Sequence, residues 1–202
     1  MVSIVHQDQT CGILGRTIFS NLHLVHDVLD FIDKTNEPTT LIALDQEKAF
    51  DHVDHKFMLC VLRKFGFGPS FCHWVETFYT HAFSRILVNR ALSSPVYLHR
   101  GVRQGCPLSS LLYVLVSEVL STQVRKCKEI DGFLLPGARG LQFQISQYED
   151  DATSILPLLY LLKVVHNFEL GSGAKLNTSK SEAMWLGRWH GRGIPLLILN
   201  GP

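Results

Sequence analysis

Apolar residues recur every three or four positions between residues 16 and 33, where Ile18, Leu22, Val25, Leu29 and Ile32 share one face. That spacing predicts an amphipathic helix. Glu37-Pro38 ends it, because a residue before proline is pushed out of the helical region. Residues 40–44 form a short apolar run stopped by Asp45, the pattern of a buried strand. Residues 55–65 read as a helix stopped by Gly66, and Pro69 opens another that runs to residue 80. Residues 84–89 and 95–99 read as the two arms of a hairpin, and Pro107 opens a long apolar helix reaching residue 128. Leu141, Phe143 and Ile145 alternate with polar neighbours, which predicts a half-buried strand. It turns at Glu149-Asp150-Asp151 and resumes near Ile155-Leu156. Residues 158–170 are helical up to Gly171 and Gly173, and residues 181–186 give a last strand. The order α, β, α, α, β, β, α, β, β, α, β predicts an α+β domain, an antiparallel sheet covered by helices.

Composition narrows this only slightly. The chain has 202 residues, 46% hydrophobic and 18% charged, a globular balance that suits one large domain or a piece of something bigger. Nineteen basic against 18 acidic side chains leave a net charge of +1, so any affinity for nucleic acid must come from local sites. Cys11, Cys60, Cys72, Cys106 and Cys127 form no CxxC pair, a pattern expected of reduced thiols in an intracellular protein. The first ten residues carry no signal pattern. The apolar run at 155–162 is interrupted by Pro157 and falls short of a membrane span, so no membrane role is expected. No internal repeat or low-complexity linker is visible.

The chemistry concentrates at Tyr148-Glu149-Asp150-Asp151. Adjacent carboxylates on a tight turn repel unless a cation lies between them, and Mg²⁺ is the hard ion that two carboxylates and substrate phosphates hold together. Taken alone the pair reads equally as a solvated turn. A two-metal site needs a further carboxylate from another strand. Asp45, at the end of a buried strand, is the natural candidate, though it also reads as a cap for the segment that follows. Between these acids lies Arg100-Gly101-Val102-Arg103-Gln104-Gly105-Cys106-Pro107. Two glycines and a proline at a helix start present backbone N–H groups to an approaching phosphate or nucleotide; an ordinary connection would read the same.

In combination these segments resemble the reverse transcriptase domain of non-LTR (LINE-type) retrotransposons. Residues 44–51 resemble the family's first acidic motif, and residues 101–109 its template- and nucleotide-contacting motif. Residues 148–151 resemble its metal-binding hairpin, residues 173–182 the lysine-bearing motif, and residues 184–187 the primer grip. Asp8-Gln9-Thr10-Cys11-Gly12 with Gly15-Arg16 resembles the end of the fingers. The resemblance implies a right-hand polymerase palm with a ferredoxin-like core at 40–190, partial fingers at 1–39 and a tail at 191–202. It implies two Mg²⁺ ions, replaceable by Mn²⁺, on Asp45, Asp150 and Asp151, with Lys180 as proton donor to pyrophosphate. Phe50 would lie under the incoming sugar. Arg103, Gln104, Gly105 and Arg16 would meet nucleotide or template. The implied partners are an RNA template, a DNA primer and dNTPs, with the thumb and endonuclease supplied by the parent protein.

Three features depart from the family pattern, one being that the thumb, most of the fingers and the endonuclease the resemblance implies are not expected within these 202 residues. Glu149 stands where the family usually has alanine, adding a third negative charge beside the primer terminus and triphosphate. The stretch from Asp151 to Gly171 is also short for the family. They keep a second class of function open: a catalytically inactive retrotransposon remnant, or a non-catalytic module that binds nucleic acid or a partner.

Overall fold

The structure, a computed structural model, describes residues 3–134, 142–156 and 158–192. Its centre is a four-stranded antiparallel sheet in the order β10-β1-β9-β8, formed by β1 (Thr39–Leu44), β8 (Ile145–Tyr148), β9 (Asp151–Ile155) and β10 (Glu182–Leu186). β1 lies in the middle because both its faces can be buried. Ile42 and Leu44 point into the main core and Leu41 into a smaller one. Leu41 pairs with Ile155, Ile42 with Ser154 and Leu44 with Ala152, so side chains of one face meet across the strands.

Helices cover both faces. α1 (Ile18–Thr35) packs Val28 and Ile32 against Phe143, Ile155 and Leu186. Its predicted stripe is only half used, since Ile18 and Leu22 at its start are exposed. It stops at Asn36, left-handed at φ 55°, whose N–H bonds back to Ile32. A one-turn helix, α2 (Ala49–His52), was not visible in the periodicity because four residues carry no period. α3 (His55–Lys64) is capped by the Asp54 carboxylate, which accepts from Phe57 N–H at 2.9 Å, and buries Met58, Leu59, Val61 and Leu62. α4 (Pro69–Tyr79) starts on its proline.

The hairpin expected at 84–99 is shorter-armed and bent. β2 (Phe83–Ser84) pairs with β5 (Val96–Tyr97), and β3 (Leu87–Val88) with β4 (Ala91–Leu92). Asn89 and Arg90, both at positive φ, form the two-residue turn. α5 (Pro107–Lys126) buries eleven residues. By length and composition it could cross a membrane, but most of it is buried in the core. β6 (Phe133–Leu134) pairs with β7 (Gln142–Phe143), so the strand expected from Leu141 breaks at Gln144. Leu141 itself lies outside the described residues, as do Pro157 and most of the expected tail. β8 is also not half-buried. Its polar Ser146 and Gln147, on opposite faces, are both buried; α1 packs on β8, Ser121 of α5 donates to the Gln147 side chain, and the N-terminal segment runs along the strand's edge, bridging Gln9 to Gln147 in parallel. Val5 and Ile13 of that segment join the main core.

α6 (Leu158–Ser172) follows β9 closely. In its apolar run Leu161 is fully buried whereas Leu159 is 60% exposed, a distinction that only the packing makes. Leu161→Ala should therefore cost about 2–5 kcal/mol, and Leu159→Ala within about 0.5 kcal/mol of nothing. Urea denaturation of both variants checks this; equal losses would mean α6 is rotated from the orientation described.

Candidate active site

Strand register sets the carboxylates. Tyr148 pairs with Asp151, closing Glu149-Asp150 as a two-residue hairpin, and Leu44 pairs with Ala152. Asp45 just after Leu44 and Asp151 just before Ala152 thus leave neighbouring strands side by side. Asp45 is held at both backbone ends: its N–H donates to Ser181 Oγ at 3.0 Å, and its C=O accepts from Asn177 N–H at 2.9 Å. Gln46 bridges Leu176, and Glu47 N–H donates to Lys175 C=O at 2.8 Å, so the acidic motif runs against the lysine-bearing one.

The acids here oppose one another's ionisation. Burial first, then the Asp151 and Asp45 carboxylates, raise the Asp150 pKa above its ordinary value, although its own N–H pulls the other way. Burial and the Asp150 charge likewise raise Glu149, partly opposed by the Ser110 hydroxyl in the first turns of α5. Burial and then Asp150, Glu149 and Asp151 push the Tyr113 phenol well up. Among the described residues no three His, Cys, Asp or Glu side chains close into a metal-sized cage. The aspartates sense one another without a completed ligand shell.

A cavity of about 430 Å³ opens beside them, lined by Asp45, Phe50, Gln104, Asp150 and Lys180 among others. Five residues singled out in the sequence therefore meet in one place. Phe50 stacks on Tyr113 at 4.9 Å between centroids and 14° between planes, and the Tyr113 hydroxyl donates to Gln46 Oε1 at 2.9 Å. Gln104 is brought in by the glycine turn. Gly101 N–H donates to Val53 C=O and Val102 N–H to Phe50 C=O, both at 2.8 Å. Gly101 sits at φ 88°, where a Cβ would lie 3.0 Å from the Asp51 carbonyl, so the turn needs glycine.

Other expected residues lie nearby or elsewhere. Asp151 is exposed and does not line the cavity. Arg103 lines an adjoining groove of about 910 Å³, shared with Gln104, Arg85 and Arg100. Gly105 is exposed at φ 76°, just before α5. Next to it the Cys106 thiol is lowered, chiefly because the Leu108 and Ser109 N–H groups donate to it. Arg16, expected at template or triphosphate, lies under the N-terminal segment and donates to the carbonyls of Val5, His6 and Gln9. Gln9, Gln46 and Tyr113 had no role assigned from sequence. Gln9 lies in the Asp8–Gly12 stretch that resembles the end of the fingers, but neither hydropathy nor spacing signals that its side chain is buried.

A family model described as "Reverse transcriptase (RNA-dependent DNA polymerase)" matches residues 4–192. The chain is 35% identical over 188 residues to the "Transposon TX1 uncharacterized 149 kDa protein" of Xenopus laevis, covering 91% of this chain and 14% of that protein. It is 33% identical over 84 residues to the Pol polyprotein of the R2 retrotransposable element of Popillia japonica, covering 42% of this chain and 14% of that protein. The chain thus spans a small part of either relative. Telomerase from Candida tropicalis, solved with a fragment of telomeric RNA, superposes on 89% of the chain and 30% of its own, with a TM-score of 0.63 at 12% identity. Telomerase from Candida albicans gives a TM-score of 0.57 over 88% of this chain and 32% of its own, at 14% identity. At such identities the likeness is one of fold, and the fold is the right-hand polymerase palm expected from the sequence. The chain belongs to the reverse transcriptase family.

Proposed function

We propose that the chain is the polymerising palm of a non-LTR retrotransposon reverse transcriptase, extending a DNA primer on an RNA template with dNTPs. The observation that carries this is the single cavity into which four separate segments bring Asp45, Phe50, Gln104, Asp150 and Lys180. The family works with divalent metal ions. The donor set fits them: hard carboxylate oxygens, of which Asp150 has its pKa raised first by burial and then by the Asp151 and Asp45 charges. Asp45, Asp150 and Asp151 would hold two Mg²⁺ ions, with Mn²⁺ a substitute. Such ions supply Lewis acidity at the primer 3′-hydroxyl and neutralise the triphosphate.

The chain's own groups do the rest. The Phe50 ring, backed by Tyr113, gives the sugar a flat apolar floor whose bulk excludes a 2′-hydroxyl. Gln104 and Gly105 meet nucleotide and template at the start of α5, and Arg103 faces phosphates in the adjoining groove. Lys180 protonates the leaving pyrophosphate. We take 40–190 as palm and 1–39 as part of the fingers.

Glu149 favours a second reading, a site that folds but does not turn over. Its carboxyl is a third acid in a neighbourhood that already disfavours ionisation. Primer extension on poly(rA)/oligo(dT) with Mg²⁺ decides between the two. Wild type is expected to be weak, Glu149→Ala more active and Asp150→Asn at background. Extension that survives Asp150→Asn overturns the polymerase proposal, and wild type matching Glu149→Ala clears Glu149.

Two further measurements do not need turnover. A carboxyl with a raised folded-state pKa weakens the fold at pH values above that pKa, and costs nothing below the ordinary carboxylate range, where it is protonated in both states. Asp150→Asn should thus melt higher than wild type at pH 7 without metal, with the gap closing in acid. Added Mg²⁺ should raise the wild-type melting temperature and leave that of Asp150→Asn unmoved; equal shifts would sink the metal assignment. The lowered Cys106 thiol should react with iodoacetamide faster than Cys127, whose pKa burial raises. A bound dNTP should slow that reaction, and no slowing would place the nucleotide elsewhere.

A further inference from the structure

We propose that Gln9 is a positioning residue for the aspartate hairpin, its buried side-chain amide holding the backbone of Glu149 and so the placing of Asp150 and Asp151. The inference rests on the metal site proposed above. Gln9 is fully buried. Its Oε1 accepts from Glu149 N–H at 3.1 Å and from Cys11 N–H at 2.9 Å. Its Nε2 donates to Glu149 C=O at 3.2 Å and to Ser117 Oγ at 3.4 Å. Both backbone groups of one residue are thereby gripped by one amide. The Ser117 hydroxyl donates to Val114 C=O at 3.1 Å, so it faces Gln9 as an acceptor. All four hydrogen-bonding positions of the amide are in use, and turning it over would set like against like.

The gripped residue is the one in need of support. Glu149 sits at φ 60°, a region that side-chain-bearing residues occupy only where their surroundings impose it. It is the first of the two loop residues, with Asp150 the second. Holding Glu149 at both its N–H and its C=O sets the peptide plane from which Asp150 departs.

The grip itself is anchored. Gln147 N–H donates to Asp8 C=O at 2.7 Å, and Thr10 N–H to Gln147 C=O at 3.1 Å, on either side of Gln9. Arg125 of α5 donates to the Asp8 carboxylate at 2.7 Å and also binds Glu118. The N-terminal segment is therefore bolted to α5, and Gln9 passes that rigidity to the hairpin tip.

The test uses the full chain as wild type, Gln9→Met and Gln9→Glu. Met keeps the volume and loses every hydrogen bond; Glu keeps the acceptor half. Removing such an outer support weakens metal binding by about 10–100-fold, so the Mn²⁺ dissociation constant, read by electron paramagnetic resonance of free Mn²⁺, should rise in that range for Gln9→Met. Amide exchange at Glu149 should quicken by about tenfold or more while exchange at Val114 stays put, as local opening requires. Gln9→Glu should protect Cys11 N–H and leave the hairpin looser than in wild type. Wild-type Glu149 exchange and Mn²⁺ affinity in folded Gln9→Met overturn the proposal. So does a loss that only tracks the folded fraction. If Gln9→Met does not fold, Gln9→Glu decides on the same two readings. Mn²⁺ binding undiminished in Asp150→Asn would refute the metal site instead, while Glu149 exchange would still judge the grip of Gln9.

Discussion

Like charges gathered at the ends of adjacent strands are the constraint on which this structure turns. Antiparallel pairing of β1 with β9 and β9 with β8 leaves Asp45, Asp150 and Asp151 near one another with no basic side chain among the groups that set the Asp150 pKa. Repulsion of that kind would splay an unsupported loop. The strand ends that carry these aspartates are accordingly tied by their backbones. Asp45 is held by Ser181 and Asn177, and the hairpin by residues 8–10. The sheet supplies proximity, and the loops packed against it supply the force that keeps the acids together.

The hairpin is where the two meet. A left-handed non-glycine residue stores about 1–3 kcal/mol of strain, while each buried hydrogen bond returns about 1 kcal/mol net. The two bonds from Gln9 to Glu149 are thus of the right size to offset the strain, with little to spare. Such a balance makes the tip sensitive to its neighbours. The segment along the edge of β8 is also the one that carries the clamp.

The strands, the long helices and the chemistry-bearing residues were legible because each leaves a local mark. Leu44-Asp45 ends a run, Pro69 and Pro107 open helices, and Asp150-Asp151 stands out by charge. What was illegible depends on partners distant in sequence. Leu159 and Leu161 look alike until α6 is docked. Arg16 was expected to meet template or triphosphate, yet it serves the carbonyls of a loop that no periodicity predicts. Ser146 continued the polar face of an alternating strand, and nothing local showed that it would be buried or that a segment more than 130 residues away in the chain would run along β8.

Glu149 can now be divided into two parts with opposite consequences. Its backbone is the handle by which the core steadies the aspartates, and this part does not depend on which side chain it carries. Its carboxyl is a further acid beside Asp150, and the Ser110 hydroxyl near the N-terminus of α5 relieves only part of its cost. A helix start attracts an anion, so the carboxyl has a resting place at Ser110 that an uncharged side chain would not seek. Positive φ adds a demand that glutamate meets no better than alanine. The substitution therefore leaves the hairpin's shape to Gln9 and changes its charge. Any catalytic defect from Glu149 should then be electrostatic, acting on metal and triphosphate, with the strand register intact beneath it.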